Sequence, residues 1–474
     1  MQFEYKMLIA AKWTSSATTV DVKNPFNNEL LGRLPQASPQ QVEQALAAAY
    51  AHRPLMADMP LHRRAEILEK TAALLDENRE EMIRYIVLES GKTRKWATVE
   101  TVRGIENLKF AAEACKNLHG ETVPLDASKG SEGRLGFWMR VPLGVVAAIP
   151  PFNFPLNLVI HKVAPAIAAG NTIVLKPASN TPGASQLLVQ LLLKAGLPAK
   201  AIQLLYGSGA KVGEAMVKDE RVAKITFTGS PRVGRRITQI AGLKKITLEL
   251  GSNSGTIIDE SADLDYAVPR TVMGSFAFSG QVCISVQRVF VHEKIAELFI
   301  DRFVKESRAQ KIGDPLDEAT DIGPMISEQE AIRVESWIRD AEKQGAKVLT
   351  GGKRQGSVLE PTVLTDVKPE MQVMCQEVFG PVVSLMLFKT FDQAIEMIND
   401  SVYGLQAGVF TQNMGHALQA IRKIEVGGVM INDVPTYRVD QMPYGGVKGS
   451  GLGREGARFA IEEMTNIKMV MLNT

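Results

Sequence analysis

The sequence predicts an α/β protein with two domains built on parallel sheets and a small β arm. Short apolar strands recur about every 20 to 30 residues between positions 144 and 250, with helical segments between them, which is the rhythm of a doubly wound parallel sheet. A second alternation of strands and amphipathic helices occupies 259–432. A hairpin pattern at 120–141 and an apolar strand at 467–472 belong to neither series and predict the arm.

The chain has 474 residues, which is more than one ordinary core can organise. We therefore expect three units. The first unit covers 1–119 and 143–250, the second covers 251–448, and the arm combines 120–142 with 449–474.

Composition excludes several classes of function. The chain has 54 Lys and Arg against 52 Asp and Glu, and it contains no run of basic residues long enough to bind along a phosphate backbone. No nucleic-acid partner is therefore expected. Three widely spaced cysteines form neither a disulfide framework nor a zinc site, which predicts a reducing compartment, the cytoplasm by default, and no metal. Neither an export signal in 1–12 nor an apolar run of about 20 residues occurs, so no membrane association is expected.

The first unit begins with helices. Ser38 reads as an N-cap, followed by Pro39 at the first helical position and Gln41 in a capping box, and apolar residues then recur at helical spacing. Two further amphipathic helices are predicted at 62–89 and 93–118. Their patterns are typical of packing helices.

The arm begins as a hairpin. Two apolar stretches, 122–125 and 135–139, flank a polar, glycine-bearing turn. Such a hairpin has little core of its own, which predicts an oligomerisation arm; the alternative is an edge hairpin on its own domain. The terminal strand 467–472 could pair with this hairpin or with that of a neighbouring subunit.

Unusual residues follow each strand of the first sheet. The strands are predicted at 144–149, 172–175, 202–206, 224–227 and 246–250. Ligands of such sheets bind beyond the carboxyl ends of the strands, so we expect the five following loops to share one crevice. In order, these loops contain Pro150-Pro151-Phe152-Asn153-Phe154-Pro155, Lys176-Pro177-Ala178-Ser179, Gly207-Ser208-Gly209, Thr228-Gly229-Ser230 and Glu249-Leu250-Gly251.

Two of the loops are candidates for binding a dinucleotide. Gly229, Ser230 and Gly234 place a helix N-terminus after a strand, as a pyrophosphate requires, and Gly207 opens a second glycine-bearing turn. Neither is the G-x-G-x-x-G pattern, and the alternative is an ordinary helix cap. Lys176 could bind ribose hydroxyls; the alternative is an exposed, solubilising lysine.

Cys283 is the candidate nucleophile. It lies in the small-residue turn Ser279-Gly280-Gln281-Val282-Cys283-Ile284-Ser285, where Gly280 leaves room for a substrate. A thiolate that attacks an aldehyde needs donors for the oxyanion, and Asn153 with the Cys283 backbone N–H could supply them. Glu249, at the end of an apolar strand, is a candidate base for thioester hydrolysis once hydride has left to a nicotinamide. The alternatives are a buried structural cysteine, a turn asparagine between prolines and a glutamate that caps a helix.

Six ordered motifs resemble those of the NAD(P)-dependent aldehyde dehydrogenase superfamily over essentially the whole chain. They are Pro151-Phe152-Asn153-Phe154-Pro155, Leu175-Lys176-Pro177, Phe227-Thr228-Gly229-Ser230, Glu249-Leu250-Gly251, Gly280-Gln281-Val282-Cys283 and Glu377-Val378-Phe379-Gly380-Pro381. The resemblance implies oxidation of an aldehyde to a carboxylic acid with NADP or NAD. It implies the roles of nucleophile for Cys283, base for Glu249 and oxyanion donor for Asn153.

The resemblance also implies cofactor contacts and a domain assignment. Lys176 and Glu377 would bind the two riboses, Phe379 would lie against the nicotinamide ribose, and Ser230 would face the pyrophosphate. The first unit would be the cofactor-binding domain and the second the catalytic domain. The arm would assemble a homodimer or a homotetramer.

Several positions depart from the common pattern of this superfamily. Ser179 stands where NAD-preferring relatives often carry a glutamate, so we predict that NADP is accepted. Phe152 replaces a frequent tryptophan, and Ser252-Asn253 replaces a common Gly-Lys pair. The residues around Cys283 and in 434–440 resemble the branch of lactaldehyde and non-phosphorylating glyceraldehyde-3-phosphate dehydrogenases.

Two arginines are candidates for holding a substrate with a hydroxyl or an anionic group. The resemblance places the segments of Arg103 and Arg438 around the substrate funnel, where a guanidinium can bind a carboxylate or phosphate. The alternative is structural pairing, of Arg103 with Glu106 or Glu100 and of Arg438 with Asp440.

Three other functions compete with this reading. A CoA-acylating dehydrogenase would not need Glu249. A thiol hydrolase would need a histidine partner, and none of the six histidines stands in a comparable motif, since His161 reads as a packed helix residue. A non-catalytic binding role is the third.

Overall fold

The computed structural model describes residues 3–473, which form a three-part α/β subunit. Within these residues the α-helices are α1 (Pro39–Ala57), α2 (Leu61–Glu77), α3 (Arg79–Ser90), α4 (Arg94–Lys116), α5 (Asn157–Ala168), α6 (Gly183–Lys194), α7 (Glu214–Lys218), α8 (Pro231–Ile240), α9 (Leu264–Phe276), α10 (Ala296–Arg308), α11 (Glu328–Lys343), α12 (Gln372–Cys375), α13 (Phe391–Asn399), α14 (Met414–Lys423) and α15 (Ala457–Glu463). The strands are β1 (Met7–Ile9), β2 (Lys12–Thr14), β3 (Thr19–Lys23), β4 (Leu30–Pro35), β5 (Glu121–Val123), β6 (Arg134–Pro142), β7 (Val145–Ile149), β8 (Thr172–Leu175), β9 (Ile202–Leu204), β10 (Val222–Thr228), β11 (Lys245–Glu249), β12 (Gly255–Ile258), β13 (Arg288–His292), β14 (Lys347–Thr350), β15 (Arg354–Gln355), β16 (Val358–Leu359), β17 (Thr362–Thr365), β18 (Val382–Phe388), β19 (Tyr403–Gly404), β20 (Gln406–Phe410), β21 (Gly428–Ile431), β22 (Val447–Lys448), β23 (Gly451–Leu452) and β24 (Thr465–Asn473).

The first sheet has eight strands in the order β2-β1-β9-β8-β7-β10-β11-β23. Strands β7 to β11 are parallel and are the five strands that the sequence predicts, so that prediction is confirmed. The chain moves outward from β7 through β8 to β9, and then returns to the other side of β7 for β10 and β11. The reversal between β7 and β10 creates the crevice in which doubly wound sheets bind ligands.

The helices around this sheet follow from local sequence with one exception. Helix α1 begins at Ser38, whose side chain accepts from the Gln41 N–H while Gln41 closes the capping box. All twelve residues of α5 are buried, because α4 and α15 pack on it and the sheet lies beneath. The prediction of a single helix at 62–89 is wrong, because two helices, α2 and α3, cover this segment. Helix α2 ends at Asn78, whose side-chain amide donates to the Leu74 carbonyl.

The second sheet has seven strands in the order β14-β17-β18-β13-β12-β20-β21. All neighbours are parallel except β14 and β17. The sequence predicts β13, β14, β18 and β21 but not β12, β17 and β20, which are short and buried and carry no alternating pattern. Separate hydrophobic clusters fill the two domains.

The third sheet has the order β24-β6-β5 and is antiparallel. Strand β24 pairs with β6 of the same chain from Thr465 opposite Pro142 to Asn473 opposite Arg134, so the terminal strand pairs with its own hairpin. Helix α15, just before β24, instead packs on the core of the first sheet through Ile461.

The glycine-rich segment 444–451 contributes residues to two short strands, β22 and β23. Strand β23 pairs antiparallel with β11, with Gly451 opposite Glu249. A Cβ on Gly451 would lie 2.4 Å from the Leu248 carbonyl oxygen, so only glycine permits this pairing. The segment therefore closes the first sheet beside Glu249.

Among residues 3–473, no helix combines the length and the apolar character that crossing a bilayer requires.

Candidate active site

The turn before Cys283 has an unusual backbone. Phe278, Ser279 and Gly280 have φ values of 48°, 52° and 70°, and two of the three are not glycine. A Cβ on Gly280 would lie 2.1 Å from the Gly380 carbonyl oxygen. Gly280 is therefore required by the backbone of the 377–381 motif, and the expectation that it makes room for a substrate is wrong.

Cys283 lines a narrow cavity at the interface of the two domains. The volume within this cavity that the centre of a water molecule can occupy is about 80 Å³. Its apolar walls include Phe154, Leu158, Phe278 and Ile284. Its polar lining comprises Lys92, Glu100, Arg103, Asn157, Thr436, Arg438 and Tyr444.

The thiol of Cys283 is poorly solvated. Burial raises the pKa of this thiol to about 11. The hydrogen bond with Tyr444 and the positive charge of Arg438 act in the opposite direction and lower it, but burial is the larger effect. The Cys283 Sγ lies 3.0 Å from the Tyr444 Oη. None of the sequence motifs pointed to a role for Tyr444.

Asn153 is buried next to the cysteine turn. Its side-chain Nδ2 donates to the Gln281 carbonyl oxygen over 3.0 Å, so the amide is tied to the turn that carries Cys283. Its backbone carbonyl accepts from Lys92 Nζ at 2.7 Å, and Lys92 forms a buried ion pair with Glu100. This arrangement positions the asparagine with two polar contacts.

Sequence reasoning missed the pair of Lys92 and Glu100. Glu100 accepts from the backbone N–H groups of Leu156 and Asn157 at 2.9 and 3.1 Å, and so satisfies the start of α5. The helical pattern of α4 contains a signal for Glu100, because this residue lies on the same buried face as Ala97. A charged residue on a buried helix face is unusual and indicates a buried partner.

Glu249 is a buried carboxylic acid at the end of β11. Neither side-chain oxygen has a hydrogen-bond partner in residues 3–473. Burial, followed by the negative charge of Glu455, raises the pKa of Glu249 well above its usual value. Its ionised form is therefore a stronger base than a solvated carboxylate. The alternative, that Glu249 caps a helix, is wrong.

Arg103 and Arg438 both reach the cavity, but the structural pairings proposed from sequence are wrong. Arg103 binds Asp440 through Nε at 3.1 Å and Nη2 at 2.8 Å. Arg438 donates from Nη2 to Glu455 at 3.0 Å, and the same nitrogen lies 3.1 Å from His161 Nε2. In the described part of the chain, neither arginine uses Nη1 for a hydrogen bond.

The two acidic partners are ionised. Although burial opposes it, the charges of Lys162 and Arg438 and the hydrogen bond from Lys162 lower the pKa of Glu455 to about 2. Burial also opposes the ionisation of Asp440, yet the hydrogen bond from His161 and the charge of Arg103 hold its pKa below the ordinary range.

The buried cluster around the cavity carries an excess of positive charge. Its cations are Lys162, Arg103 and Arg438, and its anions are Asp440 and Glu455. Burial and the nearby Arg438 lower the pKa of His161, and burial raises that of Glu249, so both shifts favour the neutral form of the side chain. The cluster can therefore accept one further negative charge.

A second, larger groove of about 1130 Å³ lies beside the first sheet, and of the predicted cofactor residues Ser230 lines it. Ser230 lines it and caps α8 by accepting from the Val233 N–H, which leaves the first turn of that helix facing the groove. The Gly229 N–H donates to the Glu249 carbonyl oxygen at 3.0 Å, and Gly234 packs on Leu250.

Lys176, Ser179 and Gly207 follow the next strands of the same sheet. Lys176 is buried, and burial lowers its pKa to about 8, so the alternative of an exposed, solubilising lysine is wrong. Its Nζ donates to the Pro177 carbonyl over 3.2 Å. Ser179 is half-buried, and Gly207 packs on Val212.

The 377–381 motif comes from the second domain and meets the first. Glu377 accepts from the Ser252 N–H at 3.0 Å, and burial raises its pKa to about 7. Phe379 has a φ of 50° and packs edge-on against Phe152, with ring centroids 5.9 Å apart. The motif of the second domain thus contacts the loops that follow β7 and β11 of the first domain.

The described residues contain no group of three or more His, Cys, Asp or Glu side chains that could hold a metal ion.

Comparison with known proteins gives consistent matches over the whole chain. Residues 13–470 match the aldehyde dehydrogenase family. The chain is 45% identical over 470 residues to the 3-sulfolactaldehyde dehydrogenase of Priestia megaterium, covering 99% of this chain and 98% of that protein. It is 41% identical over 472 residues to the lactaldehyde dehydrogenase of Methanococcus aeolicus, covering 99% and 100%.

Two solved structures are similar over nearly the full length. Aldehyde dehydrogenase 21 from Physcomitrella patens, in complex with the reaction product succinate, has a TM-score of 0.98 and 40% identity, covering 100% of this chain and 99% of that one. The glyceraldehyde-3-phosphate dehydrogenase GapN from Methanocaldococcus jannaschii, complexed with NADP, has a TM-score of 0.93 and 40% identity, covering 96% and 99%.

Proposed function

The chain belongs to the aldehyde dehydrogenase family, and from this premise we propose that it oxidises a short anionic aldehyde to the carboxylic acid with NAD(P)⁺. The observation that carries the substrate proposal is the positive excess around the Cys283 cavity. A carboxylate, sulfonate or phosphate at the far end of the substrate would neutralise it.

Cys283 begins the reaction as the nucleophile. Its proton leaves through water, the sulfur forms a bond to the aldehyde carbon, and the carbonyl electron pair moves to oxygen. The second Nδ2 hydrogen of Asn153 and the Cys283 N–H would donate to that oxygen, because the first hydrogen is held by Gln281.

The groove beside the first sheet would hold part of the dinucleotide. The first turn of α8 at Ser230 would face the pyrophosphate, and the Lys176 ammonium and the Glu377 carboxylate would bind ribose hydroxyls. Phe379, beside Phe152, would support the nicotinamide ribose. A bound nicotinamide would supply the acceptor for the hydride that leaves the adduct on Cys283, and Cys283 would then carry a thioester.

Glu249 completes the cycle by activating a water. Its carboxylate removes a proton as the water attacks the thioester, and the thiol of Cys283 is restored as the acid leaves. A desolvated glutamate without a hydrogen-bond partner supports hydrolysis over transfer to CoA, for which no water-activating base is needed.

Two relatives support an anionic substrate. The Priestia enzyme is named for a sulfonated aldehyde, and the Physcomitrella structure contains succinate, a dicarboxylate. The cavity is narrow, which favours a short chain between the aldehyde and the anionic group.

The arm supplies the proposal for assembly. Strand β24 exposes Ile467 and Met469 by 62% and 48%, and these residues share one face of the sheet with Met471. Covering this apolar face with a second subunit would form a homodimer or a homotetramer. We place the enzyme in the cytoplasm because its cysteines are free.

The central experiment separates the two chemical steps. Cys283→Ala should abolish reduced-nicotinamide formation while the cofactor still binds. Glu249→Gln should allow one burst of product per site but slow thioester hydrolysis by about 10² to 10⁴-fold. Because the pKa of Glu249 is raised and the base acts in its ionised form, wild-type hydrolysis should quicken as pH rises above the usual carboxyl range. Stopped-flow absorbance measures both phases, and hydrolysis by Glu249→Gln at the wild-type rate would require another base.

A second experiment concerns the anion site. Arg103→Met should lower kcat/KM for a short semialdehyde carboxylate roughly ten- to a hundredfold, because one charged hydrogen bond to the substrate is lost. The kcat/KM for a neutral aldehyde of equal length should be nearly unchanged. Arg438→Met should lower both, since the charge of Arg438 also favours the Cys283 thiolate. Arg339→Met, at an exposed arginine on α11, is the control. Equal losses on both aldehydes in Arg103→Met would remove this residue from substrate recognition.

A third experiment concerns cofactor choice. Ser179 places no negative charge where NAD-preferring relatives often carry one, so NADP should be accepted. Ser179→Glu should shift the ratio of kcat/KM towards NAD by about ten- to a hundredfold through repulsion of the 2′-phosphate, whereas the uncharged Ser179→Gln should shift it much less. Steady-state kinetics with both cofactors provide the test; a wild-type enzyme that strongly favours NAD would contradict the proposal.

The fourth experiment tests assembly. The native mass in solution should be two or four times that of one chain. The double variant Ile467→Lys/Met469→Lys should reduce it, because two charges are placed on the face to be buried, whereas Leu418→Lys on the exposed side of α14 should not. Light scattering distinguishes these cases, and a monomeric wild-type protein at micromolar concentration would refute the arm's proposed role.

A further inference from the structure

Tyr444 is a buried phenol that faces the nucleophile. Its exposed fraction is 2%. Within residues 3–473, the one hydrogen-bond partner of its Oη is the Sγ of Cys283, at 3.0 Å. The hydroxyl is therefore directed at the atom that reacts.

Packing does not require this hydroxyl. Tyr444 belongs to an apolar cluster with Phe278, Val282, Ile284 and Leu405, in which a phenylalanine would fill the same space. A buried hydroxyl costs free energy unless it forms a hydrogen bond. A neutral thiol is a poor acceptor, but a thiolate is a strong one, so the contact favours the ionised form of Cys283.

The ring is held firmly in this position. The Tyr444 N–H donates to the Glu455 carbonyl at 3.0 Å, and the Glu455 N–H donates back at 2.7 Å. The guanidinium of Arg438 lies over the ring, with its Cζ 3.6 Å from the centroid. A cation over the ring draws electron density from the phenol and makes its O–H a better donor.

We propose that Tyr444 is a catalytic hydrogen-bond donor that stabilises the Cys283 thiolate before it attacks the aldehyde. This inference rests on the proposed function. The O–H of Tyr444 donates to sulfur while the thiol proton is lost to water. As the sulfur lone pair forms the bond to carbon, the hydrogen bond weakens, and the phenol keeps its proton throughout.

The other charged groups near the thiol do not replace this donor. Arg438 also favours the thiolate, but Glu249 and Glu377 oppose it when ionised. Burial keeps the pKa of Tyr444 well above its usual value, so the phenol remains protonated over the working pH range.

The test is the rate at which iodoacetamide alkylates Cys283 as a function of pH, followed by peptide mass spectrometry. Tyr444→Phe should shift the pH dependence upwards by about one unit, and slow alkylation about tenfold at a fixed pH below the midpoint, as expected for the loss of one charge-assisted hydrogen bond. The single-turnover burst of reduced nicotinamide should slow by a similar factor, with unchanged cofactor affinity.

Internal and matched controls separate this effect from misfolding. Cys375, which is half-buried and outside the cavity, should react equally in every variant. Tyr437→Phe removes an exposed hydroxyl from the same loop and should leave Cys283 unchanged. Tyr444→Leu should reproduce the shift if the hydroxyl and not the ring is responsible.

Unchanged or faster alkylation of Cys283 in Tyr444→Phe would overturn the proposal for Tyr444 alone. If Cys283 of the wild-type protein did not react at any pH at which Cys375 does, the assignment of Cys283 as nucleophile would fail as well.

Discussion

The site depends on one buried carboxylate, Glu455, which joins both domains. It accepts from Lys162 on α5 and from Arg438 on the loop after β21, and its backbone pairs with Tyr444. Lys162 also donates to Thr228 at the end of β10. Because a buried charge is tolerated only with partners, these groups must stay together for the domain interface to form. The geometry around Cys283 follows from that requirement.

Two glutamates in this cluster show how partners and not burial alone decide ionisation. Glu455 and Glu249 are both almost fully buried. Among residues 3–473, Glu455 has two cationic partners and Glu249 has no hydrogen-bond partner; the pKa of Glu455 is lowered to about 2, whereas that of Glu249 is raised. The permanent anion balances the cations, whereas a carboxyl group with a raised pKa can release its proton and then take one up as the carboxylate.

The strained turn before Cys283 is likewise held in place by its contacts with the rest of the fold. Its residues of positive φ are held because the 377–381 motif packs against Gly280 and because the Ser279 hydroxyl donates to the Gly323 carbonyl at 2.8 Å. The same motif carries Glu377 and Phe379, which contact Ser252 and Phe152 of the first domain. The position of the thiol and this contact between the domains are therefore parts of one packing arrangement, and a change in the motif would affect both.

The sequence by itself determined the features that depend on neighbours along the chain. Apolar runs predicted the five parallel strands of the first sheet, Ser38 and Gln41 predicted the start of α1, and the ordered motifs identified Cys283, Glu249 and Asn153 as candidates. These signals are local, because strand pattern, capping and turn chemistry act within a few residues.

Only the tertiary structure decided which side chains meet. Arg103 pairs with Asp440, 337 positions away, and Cys283 lies against Tyr444, 161 positions away. Lys92 reaches Asn153 across 61 positions, and β23 joins the first sheet although its residues follow the second domain. Such contacts depend on how two domains pack, and many partners of suitable charge exist for each residue along the chain. Burial selects among them, since a charged or polar group that leaves water must bind whichever partner the fold places beside it.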